Sequence, residues 1–172
     1  MIFSALFSIA RDGAEKGIIA MTDTSESGPI VSPRALSHIG IQVADLARSK
    51  AYYRDVFGWQ EIYDNQAEPG VDHVVIGVVA GLAIELTKKA APPASAAVPD
   101  PNAIGFAGIT FSVPDVDVAY AALKAKGLAN MDPPVTMPPD VRLVLFRDPD
   151  GNLLELIDLR GPKSIAEMAG LA

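Results

Sequence analysis

Two glutamates stand where a carboxylate is expensive to keep. Glu85 lies in Leu82-Ala83-Ile84-Glu85-Leu86 and Glu155 in Leu153-Leu154-Glu155-Leu156-Ile157, each among apolar residues of strand type. Burying an unpaired charge is costly, so such a residue either faces water on the wet side of a sheet or has a partner. The two are 70 residues apart. The same offset pairs Ile39 with Ile109, Val43 with Val113, Asp45 with Asp115 and Gly81 with Gly151. A spacing that holds at both ends of a segment marks an internal repeat. Two carboxylates at one repeat position argue for a shared role over two separate wet-face residues.

His38 is the third residue of interest. Alone it reads as a satisfied core histidine rather than a ligand. Its repeat mate is Gly108. A pseudo-twofold arrangement of the repeats brings positions 38, 85, 108 and 155 together, and three of the four hold metal-ligand residue types. One imidazole and two carboxylates balance the charge of a divalent cation. Oxygen-rich ligation with one nitrogen suits Mn, Fe, Co, Ni, Zn or Mg, so the ion's identity stays open. Without a cation, two converging carboxylates repel and share a proton. Gln42 falls on the same strand face as His38, where it either hydrogen-bonds a substrate or is a plain polar strand residue. His73, the other histidine, has Leu143 as its repeat mate, which favours a packing or surface role.

The elements that must position these residues follow from periodicity. Ile39, Ile41 and Val43 alternate with His38, Gly40 and Gln42; Ile109, Phe111 and Val113 alternate with Gly108, Thr110 and Ser112. This period of two predicts a strand at the start of each half, with one face packed. A helix follows in each. Asp45 caps the first, Leu46, Tyr53, Val56 and Phe57 form its buried stripe, and Gly58 ends it; Asp115 or Asp117 starts the second and Gly127 ends it. Paired strands come next, Val71–Val79 with Leu82–Thr87 and Val141–Phe146 with Leu153–Leu159. The first pair turns at Ala80-Gly81 and the second at Asp148-Pro149-Asp150-Gly151-Asn152. A weaker strand falls near Gln60–Asn65.

The predicted halves run from residues 35 to 90 and 104 to 160, joined by a Pro/Ala-rich linker over 91–103 and followed by a tail over 161–172. A second proline-rich segment, Met131–Asp140, reads as a loop, either at a site opening or on the surface. Residues 1–34 are expected as a flexible extension outside the fold. The apolar run Met1–Ala10 is shorter than the roughly 20 residues a bilayer-spanning helix needs, and no basic residue precedes it as in an export signal. A cytoplasmic location is expected from that.

The 172 residues suit one domain, and 49% hydrophobic residues provide for a core. With a formal net charge of −7 and no basic run, nucleic acid is not an expected partner, and neither is a membrane. The absence of cysteine excludes disulfides, thiolate ligands and cysteine nucleophiles.

The segments SHIGIQVADLARSKAYYRDVFGW and FRDPDGNLLELID resemble the opening and closing signatures of the vicinal oxygen chelate superfamily, and the resemblance spans residues 35–160. Its members include glyoxalase I, methylmalonyl-CoA epimerase, extradiol dioxygenases, fosfomycin-modifying enzymes and metal-free antibiotic-binding proteins. The resemblance implies an α+β fold: two repeated βαβββ modules forming a cupped mixed sheet, helices outside, a divalent metal on the inner face, and assembly as a homodimer. It implies His38 at the first ligand position, Glu85 at the second and Glu155 at the fourth. The third, usually histidine, is Gly108 here. It also implies a metal-dependent lyase or isomerase acting on a small oxygenated substrate. Glu155 is the first choice of proton carrier and Glu85 the symmetric alternative. Two other readings stand beside it: a metal-free carboxylate acid/base enzyme, and a metal-free small-molecule binding protein.

Overall fold

A computed structural model describes residues 30, 34–91, 104–138 and 140–171. The extension expected over 1–34 and the linker over 91–103 lie almost wholly outside these. The first half comprises β1 (His38–Gln42), α1 (Leu46–Phe57), β2 (Gln60–Asp64), β3 (His73–Val79) and β4 (Leu82–Lys88). The second comprises β5 (Ile109–Ser112), α2 (Val116–Ala125), β6 (Val135–Met137), β7 (Val141–Arg147) and β8 (Leu153–Asp158), followed by a short α3 (Ile165–Met168). Each half is βαβββ. Each forms a four-stranded mixed sheet, ordered β1-β4-β3-β2 and β5-β8-β7-β6. In both, the first strand runs parallel to the last, and the remaining neighbours are antiparallel.

The helix ends follow from their sequences. Asp45 accepts a hydrogen bond from the Arg48 backbone N–H, and Gly58 closes α1 in the left-handed region at φ 72°. Asp115 caps α2 through the Val118 N–H, which decides between the two aspartates; Asp117 lies in the first turn. Strand β6 is a correction. The proline-rich segment from Met131 read as a loop, yet Val135–Met137 pairs with β7. Three residues between Pro134 and Pro138 suffice because β6 is an edge strand, where proline costs no inner-ladder hydrogen bond. The segment after residue 160, expected as a tail, carries α3, whose Met168 packs on Val141, Leu143, Ile157 and Leu159.

The alternating faces build one core. Ile41, Ile84, Leu86, Val75 and Val79 of the first sheet join Ile109, Leu154, Leu156, Val144 and Phe146 of the second, with Leu46 and Tyr53 of α1 and Val116 and Leu123 of α2. Each such side chain, fully buried, contributes about 1.5–3 kcal/mol. Trp59 fits against Gly77, where a Cβ would lie 2.1 Å from the indole ring, and its N–H reaches the Ile84 carbonyl at 3.3 Å.

A polar clamp also crosses between the halves. From α1, the Tyr53 hydroxyl donates to Asp148 Oδ2 at 2.9 Å, the Ser49 hydroxyl to Asp150 Oδ2 at 2.9 Å, and the Arg48 guanidinium to Asp150 Oδ1 at 2.8 Å. Asp148 also receives the Asn152 and Asp150 backbone N–H groups, so the buried carboxylate is saturated. Among the described residues no helix is long and apolar enough to cross a membrane.

Candidate metal and substrate site

The strand alternation that sends Ile84 and Leu86 into the core turns Glu85 to the opposite face. Parallel register sets Glu85 beside Gly40, between His38 and Gln42 of β1. His38 Nε2 lies 3.8 Å from Glu85 Oε2. The other oxygen, Oε1, accepts from the Thr87 hydroxyl at 2.9 Å. Gly40 leaves space above the carboxylate, since a Cβ there would approach Oε1 only to 3.9 Å. This pair is half open to solvent, with His38 and Glu85 side chains 46% and 27% exposed. Gln42 is exposed on the same face.

The second sheet repeats the pattern in a drier setting. Glu155 stands between Thr110 on β5 and Leu145 on β7, and only 9% of its surface is exposed. The Thr110 hydroxyl donates to Oε2 at 2.7 Å. Oε1 is buried with no hydrogen-bond partner. Burial pushes the Glu155 carboxyl above the usual glutamate range, and the Thr110 hydrogen bond partly offsets this. Glu155 lies in the wall of a cavity of about 670 Å³, together with Gly108, Thr110, Leu143, Leu145, Ile157 and the C-terminal Lys163. That volume falls within the range typical of small-molecule sites.

Gly108 is more than a missing ligand. A Cβ at this position would lie 2.5 Å from the Leu153 carbonyl oxygen, so the close approach of β5 to β8 leaves no room for a side chain. His73 is engaged elsewhere, its Nε2 2.6 Å from Asp64 Oδ1, with Lys50 also near that carboxylate.

The expected site residues therefore gather in two groups: His38, Glu85 and Gln42 on the first sheet, Glu155 on the second. Among the described residues, no three His, Cys, Asp or Glu side chains converge within one chain. Sequence reasoning did not single out Thr87 and Thr110 as partners of the carboxylates, although alternation had already put Thr110 on the Gly108 face. Nothing in the sequence signalled that Lys163 and Ile165 of the tail would line the cavity.

The donor set nevertheless fits a divalent cation. A buried carboxylate oxygen without a partner is uncommon because desolvation goes uncompensated, and a cation at Glu155 Oε1 would supply that compensation. An imidazole and a carboxylate 3.8 Å apart suit a cation between them.

Residues 35–156 match the family described as the Glyoxalase/Bleomycin resistance protein/Dioxygenase superfamily. The chain is 30% identical over 128 residues to YaeR of Escherichia coli (strain K12), covering 73% of this chain and 96% of that protein. Among solved structures, it resembles a glyoxylase/bleomycin resistance protein/dioxygenase domain from Frankia sp. EAN1pec, at 27% identity and a TM-score of 0.63, over 76% of this chain and 95% of that one. It also resembles the fosfomycin resistance protein FosX from Listeria monocytogenes, at 26% identity and a TM-score of 0.58, over 73% and 91%. FosX has also been solved complexed with Mn(II) and sulfate ion.

Proposed function

The chain belongs to the glyoxalase/bleomycin resistance protein/dioxygenase superfamily, and from that premise we propose that it is a metal-dependent lyase or isomerase of the glyoxalase-like type, acting on a small oxygenated molecule. The observation that carries this reading is Glu155: a buried carboxylate, one oxygen fixed by Thr110 and the other unpartnered, in the wall of a ligand-sized cavity.

His38, Glu85 and Glu155 are the residues that would hold the ion. When bound, it supplies Lewis acidity, polarising adjacent substrate oxygens and stabilising the negative charge that develops on them. Glu155 takes a proton from the carbon beside those oxygens and returns it, because burial makes its carboxylate a stronger base than an exposed one. Glu85 is the symmetric alternative. Thr110 keeps Glu155 Oε2 in place. The apolar wall excludes water, and the Gln42 amide hydrogen-bonds the substrate.

A homodimer is part of the proposal. The His38–Glu85 face and the Glu155 face each lie opposite the side of their sheet that enters the shared core. One ion held by all three residues requires the first face of one protomer against the second face of its partner.

A metal-free binding protein is the second reading, favoured by the apolar character of the cavity wall. Metal analysis of the untagged protein separates the two. Near-stoichiometric divalent metal that both His38→Ala and Glu155→Ala lose supports the metal-dependent enzyme. Absence of metal after incubation with Mn, Fe, Co, Ni and Zn overturns it. Activity insensitive to EDTA points instead to acid/base work by Glu85 and Glu155 alone.

A further inference from the structure

The cavity around Glu155 has a chemical bias that its carboxylate does not predict. Besides the polar Thr110, Ser112, Glu155 and Ser164, most of its wall is apolar, including Leu143, Leu145, Ile157, Val135 and Met137, with Lys163 as the sole cationic group among the described lining residues. A compact anion such as a phosphonate gathers donors and cations around all its oxygens and gains nothing from the apolar residues that make up most of this wall. At about 670 Å³ the space also exceeds what a small polar head alone would fill. Leaving apolar walls against water forfeits the free energy that an apolar ligand recovers.

We propose that the substrate of this site is an amphipathic molecule, with an oxygenated head at Glu155 and an extended aliphatic or aromatic body lying along Leu143, Leu145, Ile157, Val135 and Met137. The polar head and the apolar body are then recognised by different parts of one wall. This inference rests on the proposed metal-dependent reading for the head and stands apart from it for the body.

A homologous series of alkyl hydroxamates tests both parts separately. Their paired oxygens chelate divalent ions, and their chains differ only in methylenes. Binding of acetohydroxamate, hexanohydroxamate and decanohydroxamate is measured by calorimetry, with and without Mn(II), beside propylphosphonate. The expected result is affinity rising by about fourfold per methylene, the equivalent of about 0.8 kcal/mol for each buried CH₂, with propylphosphonate weakest. Val135 and Ile165 are exposed cavity residues, so Val135→Gln and Ile165→Gln spare the core while reducing the slope. A flat series that still requires Mn(II) overturns the amphipathic substrate and leaves the metal-dependent reading standing. A rising series indifferent to Mn(II) supports the apolar body and removes the metal from the head. No binding by any hydroxamate, or a slope unchanged in both glutamine variants, overturns the inference.

Discussion

The Thr110 hydroxyl and Glu155 Oε2 are joined at 2.7 Å across the parallel register of β5 and β8, which leaves Oε1 as the buried oxygen without a hydrogen-bond partner. The corresponding bond on the first sheet comes from within one strand, Thr87 to Glu85 Oε1 at 2.9 Å. Each carboxylate thus has one threonine donor, reached by a different route.

Removing the Thr110 donor frees the Glu155 side chain to rotate. Hydrogen bonds to charged groups are worth about 1.5–3 kcal/mol. Thr110→Val is therefore expected to weaken Mn(II) binding roughly tenfold or more, and Thr110→Ser to restore most of it. A Mn(II) titration followed by electron paramagnetic resonance reads both. Equal affinity in all three proteins would show that the bond has no part in holding the ligand oxygen.

The Glu155 carboxyl also gives the metal-free protein a pH signature. Burial raises its pKa from the ordinary 4.5. The folded state then holds its proton at pH values where the unfolded chain has released it. Stability from this group is present below the unfolded value and is lost as pH rises through the folded one. Thermal unfolding of metal-free protein from acid to neutral pH should show this decline, and Glu155→Gln should flatten it. A parallel decline in the variant would assign the effect to other groups.

Restoring a ligand at position 108 is expected to fail for steric reasons. The obstacle at 2.5 Å is the Leu153 backbone carbonyl, which cannot rotate away. Gly108→Ala should cost about 1–3 kcal/mol through overpacking, and Gly108→His at least as much, with no gain in metal affinity. Gly40→Ala, facing Glu85 Oε1 at 3.9 Å, should leave the melting temperature nearly unchanged.

The clamp between the halves can be weakened one hydrogen bond at a time. Tyr53→Phe removes the hydroxyl from Asp148 and should destabilise the protein by about 1–3 kcal/mol in urea unfolding. Asp148→Ala should cost more, since it strips Tyr53, Asn152 and Asp150 of a common acceptor.

Most of the scaffold was legible because its signals are local. Alternation at Ile39–Val43 and Ile109–Val113 gave the opening strands, while Asp45, Gly58 and Asp115 gave the helix ends. β6 escaped because three residues are too few for a period of two to register, and prolines on both sides obscured them. The face of β1 that His38 shares with Gln42 was likewise legible from alternation. The division of His38, Glu85 and Glu155 between two sheets depends on how the halves pack, which a repeat offset does not encode. Glu155 is the more buried of the two glutamates because α3 and its neighbours line the cavity on the second sheet.

The clamp from Arg48, Ser49 and Tyr53 to the 148–150 turn has no counterpart at the 70-residue offset, where Asp148 and Asp150 correspond to Val78 and Ala80. Duplication therefore did not leave two autonomous units. The first half presents hydroxyls and a guanidinium that have their acceptors only in the second. A protease nick between residues 92 and 103 would leave fragments that remain associated, and denaturant would melt them in one cooperative step.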